Sequence, residues 1–186
     1  MSNIDQLETK RTFLRPLTIE DAKHFYNLNL DIEVLRFTGD RAFQSVDEAK
    51  AFLSNYDQYE KYGVGRLAVI DKESREFMGW CGLKFSPDVN EYDIGFRFFK
   101  SFWNQGFATE TALKCLEFGF RDLHLEEIVG RAMANNKTSI KVLEKLGMTF
   151  KKTFDFDREK GVIYSIRKED FIKKSPKTQL HKTQNI

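Results

Sequence analysis

Polar and apolar residues alternate from Arg11 to Leu17, with Thr12, Leu14 and Pro16 set against Arg11, Phe13 and Arg15, which predicts a strand. The period then changes. Thr18 and Asp21 form a capping box ahead of Ala22, Phe25, Tyr26 and Leu28, spaced as on one face of a helix. Residues 31–44 show no period and carry a Gly39-Asp40 turn signal. A second capping box, Ser45 with Glu48, opens a helix through Ala49, Phe52, Leu53 and Tyr56. Leu67–Asp71 and Phe77–Phe85 read as strands of a hairpin joined by the polar turn Lys72–Arg75, and Pro87-Asp88 turns the chain into a strand from Glu91 to Phe99.

Beyond that strand the pattern becomes helix, strand, helix. Ala108, Ala112, Cys115, Leu116, Gly119 and Leu123 share a face of a predicted helix over 108–123. A short strand, Glu127–Ala132, precedes a helix from Thr138 to Leu146 that Gly147 can end in a left-handed cap. Met148–Phe156 and Val162–Ile166 form a closing hairpin. The polar segment from Lys173 to Ile186 is expected to be a disordered tail. These elements give a mixed α/β domain with a largely antiparallel sheet and one strand–helix–strand crossover.

The 186 residues are 41% hydrophobic and include 18 Phe, enough apolar material for one well-buried core in one domain. A net charge of +2 from mixed signs gives no field that would draw nucleic acid or an anionic membrane. Cys81 and Cys115 lie in apolar runs without ligand spacing around them, so reduced core thiols are expected and no metal is. The polar first ten residues lack a signal-peptide core, and a soluble cytoplasmic protein is expected.

Chemistry concentrates in Asp93–Ala112, where a strand runs through a short loop directly into a helix. Gly106 and Ala108 are small, so backbone N–H groups there can be approached closely. The free amides of a helix's first turn, with its dipole, suit phosphate oxygens. Neither the Lys-Ser/Thr of a nucleoside-triphosphate loop nor the three glycines of a dinucleotide fold is present.

The run Asp93-Ile-Gly-Phe96, followed by FWNQGFATETA over 102–112, resembles the acetyl-CoA loop of the GNAT superfamily of N-acetyltransferases. Its closest likeness is to the branch of ribosomal-protein-alanine N-acetyltransferases. Asn136–Met148 (NKTSIKVLEKLGM) is similar to a second motif of that branch, and RTFLRPLTIEDA and the Val162–Ile166 strand match as well, so the likeness covers residues 8–172. It implies an α+β, GNAT-type acyl-CoA N-acyltransferase fold with a mixed, mostly antiparallel sheet flanked by helices. It also implies acetyl-CoA as co-substrate and an amine acceptor, either a protein N-terminus or a small molecule. A homodimer is compatible with it.

Residue by residue, the resemblance places the coenzyme's pyrophosphate on the amides of Asn104, Gln105, Gly106, Phe107, Ala108 and Thr109. The pantetheine arm then pairs with the strand end at Phe98 and Phe99, where the sheet splays, and Asn136 contacts the arm. Asn135 and Asn136 can equally cap the helix that follows. Trp103 stands where the wider superfamily has Arg or Gln. An alkyl ammonium, with a pKa of about 10, must lose a proton before it attacks a thioester. Asp93 matches an acidic position of the family's strand, and Gly95 beside it leaves room; a solvated strand-edge Asp is the alternative. Asp155 and then Asp157 are further candidates for the base. Leu143 excludes the tyrosine that much of the superfamily uses as acid, and Ser139, on the same helix face as Asn136, matches the serine that replaces it. Asp31, Glu33 and Asp40 could attract a cation or simply be solvated. His24, His124, His181 and Tyr164 carry no catalytic signal. The competing reading is a non-catalytic acyl-CoA-binding module, which would need neither Asp93 nor Ser139.

Overall fold

A computed structural model describes residues 6–156 and 159–174. The chain runs β1 (Leu7–Glu8), β2 (Thr12–Pro16), α1 (Ala22–Leu28), α2 (Ile32–Leu35), α3 (Val46–Ser54) and α4 (Gln58–Tyr62). It continues through β3 (Arg66–Asp71), β4 (Phe77–Ser86), β5 (Glu91–Phe98), α5 (Phe107–Arg121), β6 (Glu127–Met133), α6 (Lys137–Lys145), β7 (Thr149–Phe156), β8 (Glu159–Arg167) and α7 (Lys168–Lys174).

The strands form one eight-stranded sheet in the order β1-β2-β3-β4-β5-β6-β8-β7. Every neighbouring pair is antiparallel except β5 and β6, which the α5 crossover makes parallel. This is the α+β, mostly antiparallel architecture expected from the sequence. Helix α5 lies against one face because Ala112, Cys115, Leu116, Gly119 and Phe120 are buried at helical spacing. Beneath them are Leu67, Val69, Cys81, Leu83 and Ile94. Full burial of Leu116 and Phe120 stabilises the fold by about 2 kcal/mol each. Cys81 and Cys115 lie free and buried in this core. Gly130 of β6, opposite Ile94, has no side chain, and Leu143 of α6 occupies the space a Cβ would take. On the other face α1 and α3 bring Phe25, Leu28 and Leu53 onto Ala68 and Phe77.

Several local expectations are met. Asp21 closes the capping box with Thr18, although the chain enters α1 through a single 3-10 turn. Ser45 caps α3, and Gly147 follows α6 with φ of 82°. Three elements depart from the pattern. Residues 31–44, read as irregular, contain α2, whose cap is the Asp31 carboxylate accepting from Glu33 N–H. Helix α4 is held by its contacts: Tyr56 and Tyr59 bond the backbone of Arg66, and Gly63 ends the helix at φ of 65°. Helix α7 takes in Lys173 and Lys174, so the helix runs past the expected start of the tail. The rest of that tail, with His181, and the candidate Asp157 lie outside the described residues.

Candidate active site

The loop between β5 and α5 turns on two residues in the left-handed region, Asn104 at φ of 59° and Gly106 at 83°. Asparagine tolerates that region and glycine enters it without strain. Gly106 is the N-cap of α5, and the amides of Phe107, Ala108 and Thr109 in the first turn have no intrahelical acceptor. The Phe107 side chain is buried in the core, so only its backbone can face a ligand, whereas Asn104, Gln105 and Gly106 are exposed.

A cation stands over this turn. The Arg11 guanidinium lies 3.9 Å from the Phe107 ring centre and donates to Gln105 O at 3.1 Å and Glu110 Oε2 at 2.8 Å. The Arg11 N–H donates to Glu110 Oε1 at 3.0 Å. Burial pushes the Glu110 carboxyl up, but bonds from Thr9 and Arg11 outweigh it and hold the group below its ordinary value. A Cβ on Gly106 would meet only the Arg11 guanidinium, at 3.6 Å, so the ground above the amides is otherwise open. Sequence reasoning missed Arg11, whose partner lies 99 residues away.

Strands β5 and β6 pair at Asp93–Val129 and Ile94–Gly130 and then separate. Phe99 N–H donates to Met78 O at 3.0 Å, in register with Gly79–Phe98. By the alternation of an antiparallel ladder, Asp93, Gly95 and Arg97 therefore turn their main chain to β4, and Phe96 and Phe98 turn theirs to the gap. Ala134 N–H donates to Lys160 O at 2.8 Å, which likewise leaves the main chain of Arg131 and Met133 facing the gap from β6. The open main-chain edge is thus Phe96 and Phe98, one residue earlier than the Phe98–Phe99 pair expected from sequence. Trp103 Nε1 donates to Phe98 O at 2.8 Å, so the aromatic at the loop's first position braces the strand end.

Asn136 sits beside the same gap. Its N–H donates to Met133 O at 2.9 Å, and its side-chain oxygen caps α6 by accepting from Ser139 N–H at 3.1 Å. The capping alternative therefore holds, with the amide NH2 still available to a ligand. Ser139 is half-buried on the first turn of α6, and its hydroxyl has no partner among the described residues.

Asp93 lies at the vertex where β5 and β6 part, on the face opposite α5. The room expected beside it at Gly95 is filled: a Cβ there would fall 2.7 Å from Arg66 Cζ. The Arg66 guanidinium crosses Gly95, donates to Asp93 Oδ2 at 2.5 Å and Asp93 O at 3.0 Å, and also bonds Gly82 O. Both side chains are nearly buried, at 15% and 13% exposure. Burial disfavours the Arg66 charge, but Asp93 and Tyr56 more than offset it and hold the guanidinium firmly protonated. Asp93 Oδ1 is 3.7 Å from Arg131, which bonds Glu91, and Lys151 joins Glu91 to Glu127. Asp93 is therefore one member of a line of alternating charges rather than a solvated carboxylate.

Asp155 is exposed on β7, paired with Lys160. Asp93 is in register with Val129, Val129 with Ser165, and Ser165 lies five residues from Lys160 along β8, about 17 Å. The structure does not bring Asp155 and Asp93 together. His24 stacks on Phe77 with ring centres 5.2 Å apart, a packing role.

The sheet parts beside a crossover strand, with amides bared where the helix begins, and the comparisons with known proteins give the family to which this fold belongs. The sequence model of the acetyltransferase (GNAT) domain matches residues 11–149, and the chain belongs to that family. It is 31% identical over 192 residues to FsC-acetyl coenzyme A-N(2)-transacetylase of Aspergillus fumigatus, across 90% of this chain and 78% of that one. It is 27% identical over 174 residues to "uncharacterized N-acetyltransferase p20" of Bacillus licheniformis, across 92% and 98%. A GNAT-family acetyltransferase from Bacillus anthracis superposes with a TM-score of 0.77 at 21% identity, over 88% of this chain and 99% of that one. Ribosomal-protein-S5-alanine acetyltransferase of Vibrio fischeri gives 0.76 at 16% identity, over 89% and 98%. The chain is an acetyltransferase enzyme. None of its described helices is long and apolar enough to cross a membrane.

Proposed function

We propose that the enzyme takes its acetyl group from acetyl-CoA and delivers it to a primary amine. The observation that carries this reading is the placement of the bared amides of the α5 turn just beyond the β5 edge of the gap between β5 and β6. Main chain faces that gap at Phe96 and Phe98 on one side and Arg131 and Met133 on the other, with Phe98 O held by Trp103 and Met133 O by Asn136. A pyrophosphate fits the amides of Gln105 to Thr109 with Arg11 beside them. An extended arm carrying amides fits the gap as a strand would, with the Asn136 NH2 in reach. These residues suit acetyl-CoA by the chemistry of their donors and acceptors.

At the vertex the amine nitrogen's lone pair would form a bond to the thioester carbonyl carbon. Collapse of the tetrahedral adduct breaks the carbon–sulfur bond, and Ser139 gives the thiolate a proton and regains one from water. The attacking nitrogen must also lose a proton. Asp93 is already engaged by Arg66, so we assign it the attraction and orientation of the incoming ammonium, with the proton carried off by water. Asp155 is left without a role at the vertex.

The same reading treats residues 8–172 as one catalytic unit working in the cytoplasm. The likeness of the Asn136–Met148 motif to the ribosomal-protein-alanine branch supports a protein N-terminus as acceptor, and a small amine fits the same chemistry. Thiol release from acetyl-CoA across a panel of amines and peptides tests the proposal. Saturable release that depends on the amine is expected; coenzyme binding without turnover for any amine would refute it.

A further inference from the structure

Arg97 sits between Phe96 and Phe98, whose main chain edges the gap, and its side chain leaves on the face opposite α5, shared with Trp80 and Asp93. Arg97 thus shares a face of β5 with Asp93, four residues along the strand. The guanidinium is nearly buried, at 11% exposure, and has two partners. One is the side-chain oxygen of Asn29, a buried residue whose amide is fixed by donating to Phe25 O at 2.9 Å. The other is the carboxylate of Asp40, 2.5 Å away and 58% exposed, on the segment between α2 and α3.

These partners differ in kind. Asn29 is a built element of the site: buried, neutral and held at both ends of its amide. Asp40 comes from an exposed turn beside Gly39 at φ of 71°, where its N–H donates to Thr38 Oγ1 at 3.1 Å. Arg97 needs an anion because it is buried beside a second cation. Arg66 and Arg97 flank the Trp80 ring at 5.3 and 5.2 Å, and Asp93 is committed to Arg66. Burial and Arg66 together lower the proton affinity of Arg97 despite Asp40. Trp80 also carries a buried indole N–H with no hydrogen-bond partner among the described residues, a donor that an entering oxygen would satisfy.

We propose that Arg97 is the seat for a carboxylate on the acceptor, that Asp40 occupies this seat when no acceptor is bound, and that the substrates are small amines bearing their own carboxylate. A carboxylate is the group indicated, because a carboxylate already fills the position with suitable geometry. Its source is the substrate, because Asp40 lies on the exposed turn and can leave while Asn29 stays to orient the guanidinium. The inference rests on the acetyl-CoA reading above and narrows its acceptor.

The test compares free amino acids with their carboxamides as acceptors at saturating acetyl-CoA, while coenzyme affinity is measured by calorimetry. The wild-type enzyme should favour the carboxylate member of a pair by tenfold or more in kcat/KM. Asp40→Ala, at an exposed position, should lower KM for the carboxylate member severalfold and leave the carboxamide unchanged. Arg97→Lys should erase the preference by raising KM for the carboxylate member at least tenfold more than for its carboxamide. Equal use of both members by the wild type, or an equal effect of Asp40→Ala on both, overturns the inference. So does acetyl-CoA binding without turnover of any carboxylate-bearing amine. Failure to bind acetyl-CoA at all instead sinks the coenzyme reading, and this inference with it.

Discussion

The Arg66 guanidinium reaches Asp93 by lying across Gly95, so a residue of β3 neutralises a carboxylate on β5 above the bare backbone between them. Removing one member of a buried pair leaves an uncompensated charge. Asp93→Asn should therefore destabilise the protein by about 3 kcal/mol, because Arg66 would keep only neutral partners. Arg66→Met combined with Asp93→Asn should recover most of that loss. The double variant separates fold from chemistry: stability restored with kcat still low assigns Asp93 a part in the reaction. Recovery of kcat with stability would make the pair purely structural. Denaturant unfolding and steady-state rates on the four proteins decide it.

Gly95→Ala attacks the same pair without changing any charge. The new Cβ would stand 2.7 Å from Arg66 Cζ, and the guanidinium would have to rise off the strand and away from Asp93. A loss of about 2 kcal/mol is expected from overpacking. Thermal unfolding checks it, and an unchanged midpoint would mean that Arg66 has another resting place.

Arg11 joins β2's approach to the coenzyme turn through Glu110, Gln105 O and the Phe107 ring. Loss of a charge-assisted bond near the phosphate seat is worth about 1.5 kcal/mol, so Arg11→Ala should weaken acetyl-CoA binding about tenfold. Acetyl-CoA titration by calorimetry reads this directly. Equal affinity would confine Arg11 to bracing the turn.

The difference between Arg11 and α5 shows which parts of the site the sequence discloses. The α5 stripe and the capping boxes of Thr18 and Ser45 are local, because each signal lies within a few turns of chain and names its own structure. The four and five residues of α2 and α4 are too few to display a period, and α4 depends on tyrosine bonds to Arg66. The Gly106 turn was readable as a loop opening directly into a helix, but Arg11 reaches it from 99 residues upstream of Glu110. Beside Asp93, Gly95 was expected to leave room, and Arg66 fills that room instead. The approaching group could not be read, because it comes from two strands away.

Glu110 makes the Arg11 clamp sensitive to acid. Its carboxyl is held below the ordinary 4.5, chiefly against burial, by Thr9 and Arg11. A depressed carboxyl contributes stabilisation that is complete above the ordinary value and disappears as pH falls through the folded one. Acetyl-CoA affinity should therefore persist to about pH 4.5 and decline below it. Glu110→Gln should bind more weakly at neutral pH and lose that decline. A matching decline in the variant would point to a different group.

Ser139 is the last position at which structure and chemistry can be parted cleanly. Its N–H holds the Asn136 cap, while its hydroxyl has no partner among the described residues. Ser139→Ala keeps the N–H and removes only the hydroxyl, so the unfolding midpoint and acetyl-CoA affinity should stay as they are. If the hydroxyl protonates the departing thiolate, kcat should fall about tenfold, less than a general acid ordinarily contributes because a thiolate leaves readily. The loss should shrink with a thioester whose thiol is more acidic, since such a thiolate needs the proton less. An unchanged kcat with acetyl-CoA would assign that proton to water.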